Sequence, residues 1–197
     1  MSHSLGIPDE QFIRGDIPMT KQEIRILTLA KASIGAADTV IDIGAGTGSL
    51  SIEAALLARQ GRVYAIEREP EGIELIKANA AKFAAGNVKA VLGSAPAALA
   101  GLPAAEVILI GGSGGRLPDI LSSADQLLKP GGRLIVTAVT VETLSAALQL
   151  MRQRPAYAVE ACCVQVTRIQ PVGTSNMFKA LNPIYIITCT KEGQAAG

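Results

Sequence analysis

The sequence predicts an α/β fold, a doubly wound Rossmann-like sheet of seven strands, mostly parallel with an antiparallel C-terminal edge. Three observations lead there. Short apolar runs alternate with helix-periodic segments through most of the 197 residues. One such run ends in a glycine-rich turn, Gly44-Ala45-Gly46-Thr47-Gly48, that opens a helix-like segment. Hydrophobic residues make up 49% of the chain and charged residues 18%, as suits a sheet covered by helices on both faces. A single domain over residues 1–197 fits this length, with residues 1–19 as an N-terminal lid or arm.

The elements follow in order. Residues 20–33 read as a helix, because Thr20 and Glu23 have the spacing of a capping box and Ile24, Leu27 and Ala30 recur at helical intervals. Thr39–Ile43 reads as a strand, residues 49–60 as a helix and Arg62–Glu67 as a second strand. Pro70 suits the first turn of a helix reaching about Phe83. Val88–Leu92 and residues 106–110 are the third and fourth strands, separated by an alanine-rich stretch. Residues 117–128 are helical, and Lys129-Pro130-Gly131-Gly132 ends that helix and turns into a strand over residues 133–138. A helix over residues 141–154 is followed by two β-rich segments, residues 158–169 and 184–191, which are expected to pair antiparallel. Residues 170–183 between them read as a long functional loop.

Composition narrows the function classes. The net charge of +1, the 3% of aromatic residues and the absence of Trp offer neither the basic stripe nor the stacking platforms of a nucleic-acid binder. No apolar run reaches the ~18 residues of a membrane span, and the N-terminus lacks the layout of a secretory signal. No nucleic acid, no membrane and a cytoplasmic location are therefore expected. Cys162, Cys163 and Cys189 lack metal-ligand spacing and read as buried small hydrophobes, so no metal is expected. The sole histidine is His3, which leaves histidine-dependent hydrolytic mechanisms without support.

The spacing of the glycine turn is G-x-G-x-G. This form curls around the methionine part and ribose of S-adenosylmethionine, without a pyrophosphate to cradle. Glu67 ends the second strand about 20 residues further on, where a carboxylate binds ribose hydroxyls in such a βαβ unit. Ligands in doubly wound sheets bind beyond the carboxyl ends of the strands. The Gly44–Gly48 turn, Glu67, the segment Gly93-Ser94-Ala95-Pro96 and the loop Gly111-Gly112-Ser113-Gly114-Gly115 are all placed there. The last of these would let a large flat acceptor approach the donor. Thr20 is assigned both the helix cap and a cofactor contact.

Through DIGAGTG, AIERE and LKPGG the chain resembles the class I S-adenosylmethionine-dependent methyltransferases. Through PDEQFIRGDIPMTKQEIR (residues 8–25), ILIGGSGG (residues 108–115) and FKALNPIYIIT (residues 178–188) it resembles the CbiT family of cobalamin biosynthesis, and the C-terminal half of CobL. That resemblance implies a precorrin-6B or cobalt-precorrin-6B C(15)-methyltransferase (decarboxylating), using S-adenosyl-L-methionine on a tetrapyrrole, as a homotetramer. CobL has a further domain for methylation at C(5), so a separate partner enzyme is expected to supply that step. The superfamily often places an acid after the third-strand glycine. Ser94 stands there instead, so adenine recognition is expected to rest on its hydroxyl and the backbone near Ala95.

Carbon methylation fits a chain without an evident base, since an electron-rich ring carbon need not be deprotonated. Asp16 and Glu142 remain as proton carriers, and no catalytic residue is assigned. The acetates and propionates of a corrinoid precursor call for cations, for which Arg14, Lys21, Arg116, Arg168 and Lys179 are the candidates, beside Gly112, Ser113 and Gly114 for the ring. The competing readings are a tRNA or protein methyltransferase sharing the glycine motif, and a non-catalytic scaffold that binds S-adenosylmethionine.

Overall fold

A computed structural model describes residues 5–193, and His3 lies outside them. The central sheet has seven strands in the order β3-β2-β1-β4-β5-β9-β6. Strands β1 (Thr39–Ile43), β2 (Arg62–Glu67), β3 (Val88–Leu92), β4 (Ala105–Ile110) and β5 (Leu128–Ala138) are parallel, and β9 (Ile184–Lys191) runs antiparallel to both β5 and β6 (Tyr157–Val164). Strand order reverses between β1 and β4, which opens a crevice at their carboxyl ends.

Alternation along the strands builds two cores. Val40, Val107, Leu109, Ile135 and Ile186 face one side, where α1 (Gln22–Ala32) and α2 (Ser49–Leu57) pack. Ile41, Ile43, Ile108, Leu134 and Ile187 face the other, under α4 (Leu117–Leu127) and α5 (Val141–Arg152). α3 (Pro70–Lys82) covers β2 and β3 through Ile73 and Ile76. This two-sided burial is why the strands carry continuous Val and Ile.

Five expectations change. α1 begins at Gln22, its cap position is Lys21 and no side chain caps it, so Thr20 and Glu23 form no capping box. Glu23 instead holds Arg168, at 2.8 and 3.1 Å. Lys129-Pro130-Gly131-Gly132 lies inside β5, where the pairing with β4 shifts register, and does not precede the strand. The segment read as one strand over residues 158–169 is two. β6 leaves the ladder at Val164, opposite Ile184, and the adjoining Pro183 has no N–H to continue it. The chain then forms a separate hairpin, β7 (Thr167–Val172) with β8 (Ser175–Ala180), turning at Gly173 with φ +60°. The expected loop over residues 170–183 is mostly this hairpin. Of the cysteines only Cys189 is buried, while Cys162 is half-buried and Cys163 exposed.

Candidate functional site

A cavity of about 890 Å³ opens at the switch between β1 and β4. The turns that leave β1, β2, β3 and β4 all border it, through Gly44, Ala45 and Gly46, through Glu67, through Ser94 and Ala95, and through Gly111, Gly112, Ser113 and Gly114. The glycine turn is held tightly. Gly44 has φ +74°, and a side chain there would stand 2.7 Å from the Gly112 backbone, so the loops after β1 and β4 touch only because residue 44 is glycine. Gly46 has φ +57° and faces the carbonyl of Pro18, so the N-terminal arm lies directly over the turn.

Glu67 is 7% exposed and ties the turns together. One carboxylate oxygen accepts from the Gly46 N–H at 2.8 Å, and the other from the N–H groups of Arg68 and Glu69 at 2.8 and 3.0 Å. The oxygen on Gly46 keeps a lone pair free toward the cavity for a further donor.

Asp42 is the functional candidate the sequence reading passed over. It borders the cavity and is fully buried; one oxygen accepts from the Ser51 hydroxyl at 2.5 Å, and the other has no partner. Burial pushes its carboxyl up to about 6, with the Ser51 hydroxyl opposing and the nearby Glu67 charge adding to the rise. An unpaired buried acceptor beside a cavity calls for a donor from a ligand. Its position as the last polar residue of an apolar strand before the glycine turn was a usable signal.

The arm supplies the roof. Arg25 of α1 is fully buried and donates to Asp9 and Glu53, each at 2.8 Å, and to the carbonyls of Thr20 and Ile7. Its guanidinium also stacks 4.7 Å from the Phe12 ring centroid. The Ile13 N–H donates to Asn79 at 2.8 Å and the Asp16 N–H to Glu71 at 3.2 Å, leaving residues 16–21 along the cavity edge. Asp16, Thr20 and Lys21 therefore border the cavity, whereas Glu142 does not.

The structure does not bring every candidate to the cavity. Thr47 is buried with an unpartnered hydroxyl, and Gly48 packs on Ile76; both shape the turn from behind. Arg14, Arg116, Arg168 and Lys179 lie outside the lining. Arg116 sits 3.4 Å from Asp119, Lys179 is on the exposed β8, and Arg168 is committed to Glu23 and Asp9. Val139, Val166, Leu181 and Ile184 instead give the cavity an apolar wall, with Thr137 and Asn182 as its uncharged polar groups. Among the described residues none of those lining the cavity is His or Cys.

The model of a precorrin methyltransferase domain matches residues 11–191. The chain belongs to the precorrin methyltransferase family. A curated member from Salmonella typhimurium, a cobalt-precorrin-6B C(15)-methyltransferase (decarboxylating), is 40% identical over 185 residues, covering 93% of this chain and 95% of its own. The crystal structure of a precorrin-6y C5,15-methyltransferase from Geobacter metallireducens superposes with a TM-score of 0.89 at 40% identity, over 95% of this chain and 98% of that one. The precorrin 8W decarboxylase of Methanobacterium thermoautotrophicum gives 0.87 at 36% identity, over 92% and 98%. By its family and its relatives the chain is a methyltransferase, and it shares the fold of a SAM-dependent O-methyltransferase from Thermotoga maritima. Among the described residues no helix is long and apolar enough to cross a membrane.

The site fits S-adenosylmethionine by its own features. Gly44, Ala45 and Gly46 line the cavity without bulky side chains, the orphaned Asp42 oxygen suits an ammonium group, and Glu67 offers an acceptor at the end of β2.

Proposed function

We propose that the protein methylates the C(15) meso carbon of precorrin-6B or cobalt-precorrin-6B, with loss of the C(12) acetate carboxyl group, in cobalamin biosynthesis. The observation that carries this reading is the match of nearly the whole chain to decarboxylating C(15)-methyltransferases, joined to one cleft with a polar donor half and an apolar acceptor half. S-adenosylmethionine supplies an activated methyl group on a sulfonium, so the acceptor carbon needs electrons and not deprotonation. A lining without His or Cys suits that chemistry.

The residues present act by binding, orienting and excluding water. The Gly44–Gly48 turn and Glu67 hold the donor's ribose side, Asp42 receives its ammonium, and Ser94 and Ala95 face the adenine. Val139, Val166, Leu181 and Ile184 give the flat tetrapyrrole an apolar bed, while Gly112, Ser113 and Gly114 allow it to approach the donor. Lys21 at the rim pairs with a peripheral carboxylate; Arg14, Arg116 and Lys179 serve only carboxylates that extend beyond the cleft. Loss of carbon dioxide leaves an electron pair that enters the macrocycle made cationic by methyl transfer, a proton, in net balance the one given up at C(15), completes the C(12) methyl group, and the apolar wall disfavours the departing carboxylate. Residues 14–21 close over both ligands as the lid. A separate enzyme supplies the C(5) methyl group.

The same reading includes a homotetramer. Ile169, Val172, Met177 and Phe178 on the β7–β8 hairpin are 54–80% exposed, a concentration of apolar surface that self-association would cover. The test of function is incubation of the protein with S-adenosylmethionine and cobalt-precorrin-6B, read by mass spectrometry. Gain of one methyl group with loss of carbon dioxide supports the reading. Methyl gain alone removes the decarboxylation, and methylation of transfer RNA or protein in its place removes the corrinoid.

A further inference from the structure

The arm and the β7–β8 hairpin form facing walls of the cleft, and one side chain joins them. On the arm side the lining runs from Asp16 to Ile24; on the other it includes Val166, just before β7, and Leu181 and Asn182, just after β8. The Leu181 N–H donates to the Val166 carbonyl at 2.9 Å, closing the base of the hairpin so that its two ends move together. β8 is exposed along its whole length, so the hairpin has little packing of its own to fix its angle.

Arg168 of β7 crosses the gap. Its Nη2 donates to Glu23 at 2.8 Å and to Asp9 at 3.3 Å, and its Nε donates to Glu23 at 3.1 Å. The paired bonds to Glu23 are the fork geometry that fixes orientation as well as distance. Asp9 is shared with the buried Arg25, which also holds the Thr20 carbonyl and Glu53, and Glu53 accepts from the Gly6 N–H at 2.8 Å. A continuous ionic chain thus leads from the hairpin through Asp9 to the backbone of the roof. Arg168 hydrogen-bonding holds the Glu23 carboxyl below the usual carboxylate range. Asp9 is held low as well: burial opposes its ionisation, but Arg25 and Arg168 outweigh burial.

We propose that Arg168 is a positioning residue that latches the hairpin to the arm and so sets the width of the acceptor entrance. This rests on the reading of the cleft given above. The guanidinium does not touch substrate; it acts through Glu23 and Asp9 on the spacing between Thr20 and Lys21 on one wall and Val166, Leu181 and Asn182 on the other. The donor half of the cleft has its floor on β1 and β2 and takes the arm as its roof, so a change in that spacing affects the donor less than the acceptor.

The test uses the full chain with Arg168→Gln and Glu23→Gln, singly and together. Each single variant is expected to lower kcat/KM for the corrinoid about tenfold, and the double variant to be no worse than Arg168→Gln, because both substitutions break the same Arg168–Glu23 pair. The Kd for S-adenosylmethionine is expected to stay within about twofold and the unfolding midpoint near the wild type, with Arg168→Lys recovering part of the loss. Hydrogen exchange should quicken in residues 14–21 and 166–182. In an active enzyme, unchanged acceptor kinetics, additive losses, or an equal fall in donor affinity and unfolding midpoint overturn the latch. Should the wild type turn over no corrinoid, the functional reading fails on its own. Hydrogen exchange then decides the latch, and unaltered protection of residues 14–21 in Arg168→Gln overturns it.

Discussion

Glu67 and Asp42 show how two carboxylates one strand apart acquire different tasks. Glu67 accepts three backbone N–H bonds at the cavity edge, whereas Asp42 is buried at the cavity wall with Ser51 on one oxygen and the other unsatisfied. Glu67→Ala is expected to weaken S-adenosylmethionine binding by ~1.5–3 kcal/mol, through the lost ribose acceptor and the loosened Gly46 turn. Calorimetry reads this directly, and an unchanged Kd counts against the role. Asp42 gives a pH dependence. Its folded carboxyl titrates near 6 against an ordinary value of 3.8, so the folded chain holds the extra proton between those values, and this group's contribution to stability falls as pH rises across them. A bound ammonium favours the ionised form. Donor affinity should therefore rise from pH 5 to 7 and level off, and Asp42→Asn should flatten the profile; a wild-type Kd independent of pH removes the contact. Glu67 was legible from its distance to the glycine turn. The isolation of Asp42 was not, because the orphaned oxygen depends on how α2 packs over β1.

At the scale of elements, the strands and helices around the glycine turn follow local pattern closely. β1, β2 and β3 have the limits their apolar runs predict. The start of α1 differs because a tertiary partner won: Glu23 pairs with Arg168, 145 residues away, in preference to a local backbone N–H. The hairpin was hidden because Pro171 interrupts its first strand and neither strand buries a face that would impose alternation. Its readable trace was Val172-Gly173-Thr174-Ser175, a two-residue turn with glycine first. The arm was read as a lid, but nothing local indicated its attachment to a buried guanidinium. Arg25→Ala leaves Glu53 as an uncompensated buried charge and Asp9 with Arg168 as its remaining partner, and a loss of about 3–5 kcal/mol is expected in chemical denaturation. A loss below about 1 kcal/mol would mean that the arm is held by its apolar contacts through Ile7 and Phe12 instead.

For the whole molecule, topology does most of the positioning. The reversal between β1 and β4 brings four glycine-bearing or acidic turns, far apart in sequence, into one cavity, which is why a coarse strand order sufficed to locate it. The acceptor wall was not legible. Val139 follows β5, whereas Val166, Leu181 and Ile184 come from the ends of β6 and β8 and the start of β9, and the antiparallel return of β9 beside β5 brings these three to the cavity that Val139 lines. The cations looked suited to substrate because corrinoid precursors are acidic, yet Arg168 is spent on the fold's own carboxylates. Assembly is tested by Phe178→Asp, which places a charge on the most exposed large apolar residue. It should convert a tetramer to smaller species in light scattering; a wild type already monomeric, or a variant still tetrameric, contradicts the hairpin interface.

The most direct measurement of the central claim follows a carbon-13 methyl group from labelled S-adenosylmethionine into the corrinoid product by nuclear magnetic resonance. The account predicts one labelled methyl bonded to the C(15) meso carbon and an unlabelled methyl where the C(12) acetate stood. Label on oxygen, nitrogen or another ring carbon, or an intact C(12) acetate, would contradict it.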